Sequence, residues 1–362
     1  MRRIAGIVLA VLLIGGVVAA VVAGRQGDDK GTATKTVRGV IGSEKSDFFA
    51  DPDVVKALAA KGYTVKTEAS GSWAMEDLDL KGYDFAFPSS SAPADTLAAK
   101  YRARQPLPRP FYSPLVVVAH RSAAEVLAAN GLAVLDGKGK GTLKMAAYLD
   151  AARHDRTWQQ LKGATAHGEL TGTLYITSTD PETSNSGALY LAAASYVANG
   201  GRVVASDADV AATAPLLRKL VSVQGAQQPS SDSVFRDFIS GAGNPLVCLY
   251  ESQVVSLLGD RGGQQGADSD LVVLYPDTTV NSDHTIVPLD DAGRQLGELL
   301  STDPALRRLA VRHGFRPQGD SAEFVKATAD RAAYLNQTLT GVRQAPVPTS
   351  AVLHEMARRA RG

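Results

Sequence analysis

The stretch TSTDPETSNSG, residues 177–187, follows a short apolar run at 174–176 and precedes the helix-forming run 188–197. It reads as strand, polar loop and helix N-terminus. Ser184, Asn185 and Ser186 suit a helix cap. Gly187 lets another group approach the backbone closely. The unpaired N–H groups of the first turn, at the positive end of the helix dipole, then face the loop. Such a place holds an anion or a carboxylate without a charged side chain. An ordinary capped helix in an α/β domain has the same composition, so the rest of the chain must carry the decision.

The 362 residues suffice for two lobes of ordinary size, and 44% hydrophobic residues allow a sizeable core. A net charge of +1 argues against nucleic acid as the main partner. The few aromatic residues are not interleaved with basic ones, which argues against single-strand binding. Cys248 is the only cysteine, so no intramolecular disulfide can form. Within its apolar run it reads as buried and inert.

Met1-Arg2-Arg3 opens the chain, and residues 4–23 carry no charge. A helix of about 20 apolar residues at ~1.5 Å each spans a bilayer core. The leading arginines favour an N-terminus inside and the bulk of the chain exported. Val21-Val22-Ala23 is acceptable to a signal peptidase. The run is longer than a usual signal core, which favours an uncleaved anchor. No cysteine stands directly after it, where a lipidated N-terminal Cys would be expected. The expectation is a transmembrane signal-anchor at 1–24, a linker at 25–35 and an extracytoplasmic domain, secreted if cleavage follows Ala23.

From residue 36 onward, strands and helices alternate. Residues 37–41 read as a strand ending at Gly42-Ser43-Glu44-Lys45, and 51–60 as a helix with Pro52 in its first turn. Residues 63–67 form a strand ending at Ser70-Gly71-Ser72, and 84–87 one ending at Pro88-Ser89-Ser90-Ser91. That alternation indicates a mostly parallel sheet, with ligands beyond the carboxyl ends of the strands. Residues 115–119, 245–249 and 271–274 read as further strands, the second ending at Tyr250-Glu251-Ser252-Gln253. Residues 291–300, 304–313, 324–339 and 351–361 read as helices. The Gly-Lys alternation at 137–141 lacks phosphate-loop spacing and reads as a solvated turn.

Six histidines are scattered without metal-ligand spacing, and no GxSxG elbow occurs. Neither a metal, a cofactor nor an enzymatic activity is expected. A cleft between lobes is the natural ligand site. Ser43, Ser70, Ser72, Ser89, Ser90 and Ser91 would line one wall, and residues 177–187 with Tyr250 and Glu251 the other.

The chain resembles the bacterial extracellular solute-binding proteins of ABC transporters, of the type II periplasmic-binding fold. The residues that carry the likeness are Val40-Ile41-Gly42-Ser43-Glu44-Lys45, Phe111-Tyr112-Ser113-Pro114-Leu115-Val116-Val117-Val118 and Ser178-Thr179-Asp180-Pro181 with Ser184-Asn185-Ser186-Gly187. Leu249-Tyr250-Glu251-Ser252-Gln253 and Val273-Leu274-Tyr275-Pro276 complete the set. Binders of molybdate, sulfate or phosphate look closest. The resemblance implies a two-lobe α/β protein with crossing strands at 115–119 and 271–275. Lobe 1 would be 36–114 with 271–320, lobe 2 would be 115–270, and 321–362 would form C-terminal helices. It also implies a small polar ligand, with oxyanions among the candidates, and an ABC permease as partner. The implied ligand contacts are Ser43, Glu44, Ser70, Ser72, Ser89, Ser90, Asp180, Ser184, Asn185, Ser186, Gly187, Tyr250 and Glu251. Three acids (Glu44, Asp180, Glu251) are awkward beside an anion, because desolvated like charges repel. A membrane-anchored sensor or interaction module that keeps the fold without transport is the alternative.

Overall fold

The computed structural model describes residues 34–137, 139–260, 270–319 and 321–362. The expected membrane segment and all but the end of the linker lie outside these residues. Among the described residues no helix is long and apolar enough to cross a membrane. The strands in chain order are β1 (Lys35–Ile41), β2 (Tyr63–Ala69), β3 (Phe85–Phe87), β4 (Phe111–His120), β5 (Ala133–Asp136), β6 (Lys140–Leu143) and β7 (Leu246–Tyr250). They continue with β8 (Leu271–Pro276), β9 (Thr278–Thr279), β10 (Asn281–His284), β11 (Val287–Pro288), β12 (Arg316–Pro317) and β13 (Arg343–Gln344).

One lobe is built on the sheet β11-β3-β1-β2. β1 pairs in parallel with β2 and β3, whereas β11 is antiparallel to β3. Alternate residues feed two cores. Val37, Ile41, Phe85 and Phe87 face one side, while Val40, Ala86 and Val287 face the other with Met75 and Leu97. Gly39 is required under Phe85, since a Cβ there would sit 2.2 Å from the ring.

The second sheet runs β10-β4-β8-β6-β5, with β7 and β12 also paired to β4. Its strands β4, β7 and β8 are buried on both faces, which explains their unbroken apolar runs. Leu115, Val117, Cys248, Val272 and Leu274 enter one core; Val116, Val118, Val247, Leu249 and Val273 enter the other. Here the expected parallel order fails. β4 is antiparallel to β7 and β8, and β5 to β6; of these strands only β6 and β8 run parallel.

β4 joins the two halves of the molecule. Phe111–Pro114 lies against β10 and Leu115–Ala119 against β7. β8 pairs with β4 and β6 in the second sheet, and the chain next pairs with the first sheet at β11, antiparallel to β3. Three local expectations change. Residues 174–176 form no strand, and only Thr177 bridges to Val247. Lys140 and Gly141, read as the end of a turn, belong to strand β6, Lys140–Leu143. The helix expected over 324–339 is confined to Ala322–Ala327, followed by turns. The last helix, Ser350–Arg361, packs on the helices Asp207–Ser222 and Asn185–Ala198.

Candidate functional site

The strand ends of the first sheet converge on Ser89. Its backbone N–H donates to Ser72 Oγ at 2.9 Å, and the Ser72 hydroxyl donates back to Ser89 Oγ at 3.0 Å. Ser89 Oγ in turn donates to Glu44 Oε1 at 2.6 Å. Gly42 holds this cluster together, because a Cβ there would lie 2.3 Å from Ser89 Oγ. Behind the cluster Lys45 is fully buried, and its ammonium donates to Glu44, to Ser89 Oγ at 3.3 Å and to His284 Nδ1 at 3.1 Å. Burial pushes the Glu44 carboxyl up, but Lys45 and His284 outweigh it and hold it well below the usual carboxylate range. Burial pulls the Lys45 ammonium down against the opposing pull of Glu44. Burial and then Lys45 lower His284 to about 4, so its ring is neutral at pH 7.

The second lobe presents the start of the helix Asn185–Ala198. Ser184 is its N-cap without a side-chain capping bond. Asn185 donates through Nδ2 to Tyr250 OH at 3.0 Å and to Ser282 Oγ at 3.3 Å, and accepts from Ser90 Oγ at 2.5 Å. Ser282 Oγ donates to the Ser89 carbonyl. Ser186 turns inward to Thr179 Oγ1 at 2.8 Å. Gly187 packs so tightly that a Cβ would meet the Thr179 carbonyl at 2.2 Å.

Ser43, Glu44, Ser70, Ser72, Ser89, Ser184, Asn185 and Tyr250 therefore surround one cleft, together with Gly42, Gly71 and Ser231. Ser90 reaches it through Asn185, whereas Ser186 and Gly187 shape the helix start from behind. The lobes are shut across it. Ser230 Oγ donates to Ser43 Oγ at 3.0 Å, and the amides of Trp73 and Ala74 donate to the Thr183 carbonyl, each at 3.2 Å. The space left is about 10 Å³, enough for roughly one water.

The acids expected near the ligand are each placed beside a base. Glu44 has Lys45. Asp180 lies 3.2 Å from Arg361, which also bonds Glu182 at 2.6 Å. Glu251 is not at the cleft but in a buried bidentate pair with Arg316, at 2.6 and 2.8 Å, and accepts from Tyr275 OH. Burial pushes the Tyr250 hydroxyl far above its ordinary value, so it remains a neutral hydrogen-bonding group. Burial pushes the Cys248 thiol up to about 12, which keeps it protonated. Among the described residues no group of His, Cys, Asp and Glu has metal-binding geometry.

Sequence reasoning missed Lys45, Ser282 and His284 as members of this network. Nothing in the sequence marks Lys45 as buried, and Ser282 and His284 lie in a polar run with no apolar periodicity.

No family model and no curated protein matches the sequence. Solved structures do match. The sulfate-binding protein SubI from Mycobacterium tuberculosis H37Rv aligns over 88% of this chain and 96% of its own at 16% identity, TM-score 0.57. A periplasmic thiamin binding protein aligns over 93% and 99% at 13% identity, TM-score 0.55. The substrate binding protein of the ABC transporter from Agrobacterium tumefaciens aligns over 91% and 96% at 14% identity, TM-score 0.52. At such identities the likeness shows the fold, and this chain has the two-lobe α/β fold of the periplasmic substrate-binding proteins.

Proposed function

We propose that the chain is an extracytoplasmic solute-binding protein that closes its lobes on a small anion and delivers it to an ABC-type permease. Its N-terminal segment would tether it to the membrane. The observation that carries this reading is the charge balance of the cleft. Its one carboxylate is cancelled by Lys45, and what remains is a wall of hydroxyls and amides at the start of a helix. Neutral donors around a helix N-terminus suit an oxyanion. Solved structures of the same fold named as sulfate- and thiamin-binding proteins support solute capture and leave the solute open.

The test is a thermal melt of the purified full chain with sulfate, phosphate, molybdate, amino acids and sugars. A ligand at 100 times its Kd stabilises by about 2.7 kcal/mol. We expect one anion to raise Tm, and Ser72→Ala with Asn185→Ala to abolish the rise. If no compound in the panel moves Tm, solute capture is the wrong reading, and a search for a membrane partner protein replaces it.

A further inference from the structure

The last helix, Ser350–Arg361, contributes no residue to the serine cleft. It nevertheless touches three of the segments that carry the cleft residues. One face is built into the second lobe. Leu353, Met356 and Ala360 are buried in its core, and Arg218 of the helix Asp207–Ser222 donates to the Arg359 carbonyl at 3.2 Å. The end of the helix is pinned to the loop ahead of Ser184 and Asn185, where Arg361 pairs with Asp180 at 3.2 Å and with Glu182 at 2.6 Å.

The first two turns reach the other lobe. Ser350 Oγ donates at 2.8 Å to the carbonyl of Ala92, three residues beyond Ser89. The His354 ring meets the indole of Trp73, the neighbour of Ser72, edge to face with 4.5 Å between centres. His354 Nε2 also lies 3.5 Å from Glu76 Oε2. Trp73 is 3% exposed and Ala92 7%. Both follow strands of the first sheet, yet both are buried in the apolar core of the second lobe.

The two sets of contacts differ in what parting of the lobes does to them. Those made with the second lobe move with it. Those made with Trp73, Glu76 and Ala92 cross the seam and must break together. An indole that leaves the seam carries a large apolar area into water. None of these three residues lines the cleft, so they resist opening equally with the cleft full or empty. We propose that the C-terminal helix is a strap that holds the lobes together from outside the cleft and thereby sets how long a bound solute stays. The strap rests on the contacts above; its effect on solute lifetime rests on the solute-capture reading.

The test is amide hydrogen exchange, followed by NMR, on the full chain carrying Ser350→Ala with His354→Ala. Neither side chain belongs to the core of the second lobe, so the fold is not threatened. The amides of Trp73 and Ala74 donate across the seam to the Thr183 carbonyl, whereas the Met75 amide donates to Gly71 within its own lobe. Exchange at Trp73 and Ala74 is expected to quicken about tenfold, as loss of one hydrogen bond and one ring contact would give, while Met75 keeps its rate. Glu355→Ala is the control, because Glu355 pairs with Arg358 and Arg359 of its own helix, and it should move neither. Unchanged exchange at Trp73 and Ala74 in the double variant overturns the strap. Equal quickening at Met75 marks fraying of the turn, and equal quickening in Glu355→Ala marks loss of helix; either overturns it as well. Stopped-flow release of sulfate, phosphate and molybdate supplies the second arm. Whichever of them binds the parent should leave the double variant about tenfold faster. Unchanged release overturns the control of solute lifetime. If none of the three binds, solute capture falls, and the strap stands or falls on exchange alone.

Discussion

Lys45 is an ammonium with no exposed surface, held by Glu44, Ser89 and His284. Removing one partner of a buried ion pair leaves the other charge uncompensated, at about 3–5 kcal/mol, whereas replacing both is often neutral. Lys45→Met should therefore destabilise by that amount in urea unfolding, and Lys45→Met with Glu44→Gln should recover most of it. If the double variant is no better than the single one, the pair is not the source of the loss. His284 gives a pH signature at the same place. Its folded value near 4 lies below the ordinary 6.5, so the unfolded chain binds more protons between these values. Its contribution is complete above pH 6.5 and is lost as pH falls towards 4, on the order of 3 kcal/mol. Glu44, also depressed, loses its contribution below its unfolded value near 4.5, so the two windows overlap only at the acid end. His284→Gln should flatten the fall between pH 6.5 and 5 in urea midpoints. An unchanged slope would show that another group titrates there.

At the scale of elements, β4, β7 and β8 were legible because burial on both faces leaves continuous apolar runs such as Val116-Val117-Val118 and Val272-Val273-Leu274, whereas the half-buried β5, β6 and β10 carry no such run. The misreadings have tertiary causes. Leu174-Tyr175-Ile176 looks like a strand, but the Ile176 N–H donates to Tyr148 OH and the Leu174 N–H to the Arg156 carbonyl, so no ladder forms. The run after Phe324 has helical composition, but it must leave the helix to offer two carbonyls to a buried guanidinium. Arg316 donates to the Asn336 and Gln337 carbonyls, at 2.8 and 2.7 Å, while holding Glu251. That requirement comes from residues far away in the sequence, and no local window contains it. The cleft shows the same division. Its serines were legible as strand-end clusters, whereas the base that cancels each acid was not. Arg316→Met should strand the Glu251 charge, at about 3–5 kcal/mol. It should also loosen residues 336–337, seen as faster amide exchange there. If stability falls without that local change, Arg316 does not anchor the segment.

Across the whole molecule, the lobes meet through both side-chain and backbone hydrogen bonds, Ser230 to Ser43 and Trp73 and Ala74 to Thr183 among them. The C-terminal helix spans them. It packs on the helices of the second lobe, while His354 meets Trp73 edge to face with 4.5 Å between ring centres and Ser350 Oγ donates to the Ala92 carbonyl at 2.8 Å. At the front, Gly71 follows the end of β2 and abuts Thr183, which precedes the helix Asn185–Ala198. A Cβ on Gly71 would lie 2.3 Å from the Thr183 carbonyl oxygen and 3.0 Å from its carbon. The obstacle is backbone in the opposite lobe, so no rotamer change relieves it. The same carbonyl accepts the amides of Trp73 and Ala74, so a clash there also breaks the bonds that latch the front of the cleft. Gly71→Val should hold the lobes apart and leave each lobe's core intact. Small-angle scattering should give a larger radius of gyration than the parent, and any ligand that raises the parent's Tm should lose at least about tenfold in affinity. Gly168→Ala serves as the control, since a Cβ at Gly168 would have no atom within 4 Å, and neither property should move. A Gly71→Val protein as compact as the parent and as tight for its ligand would show that closure does not pass through this contact.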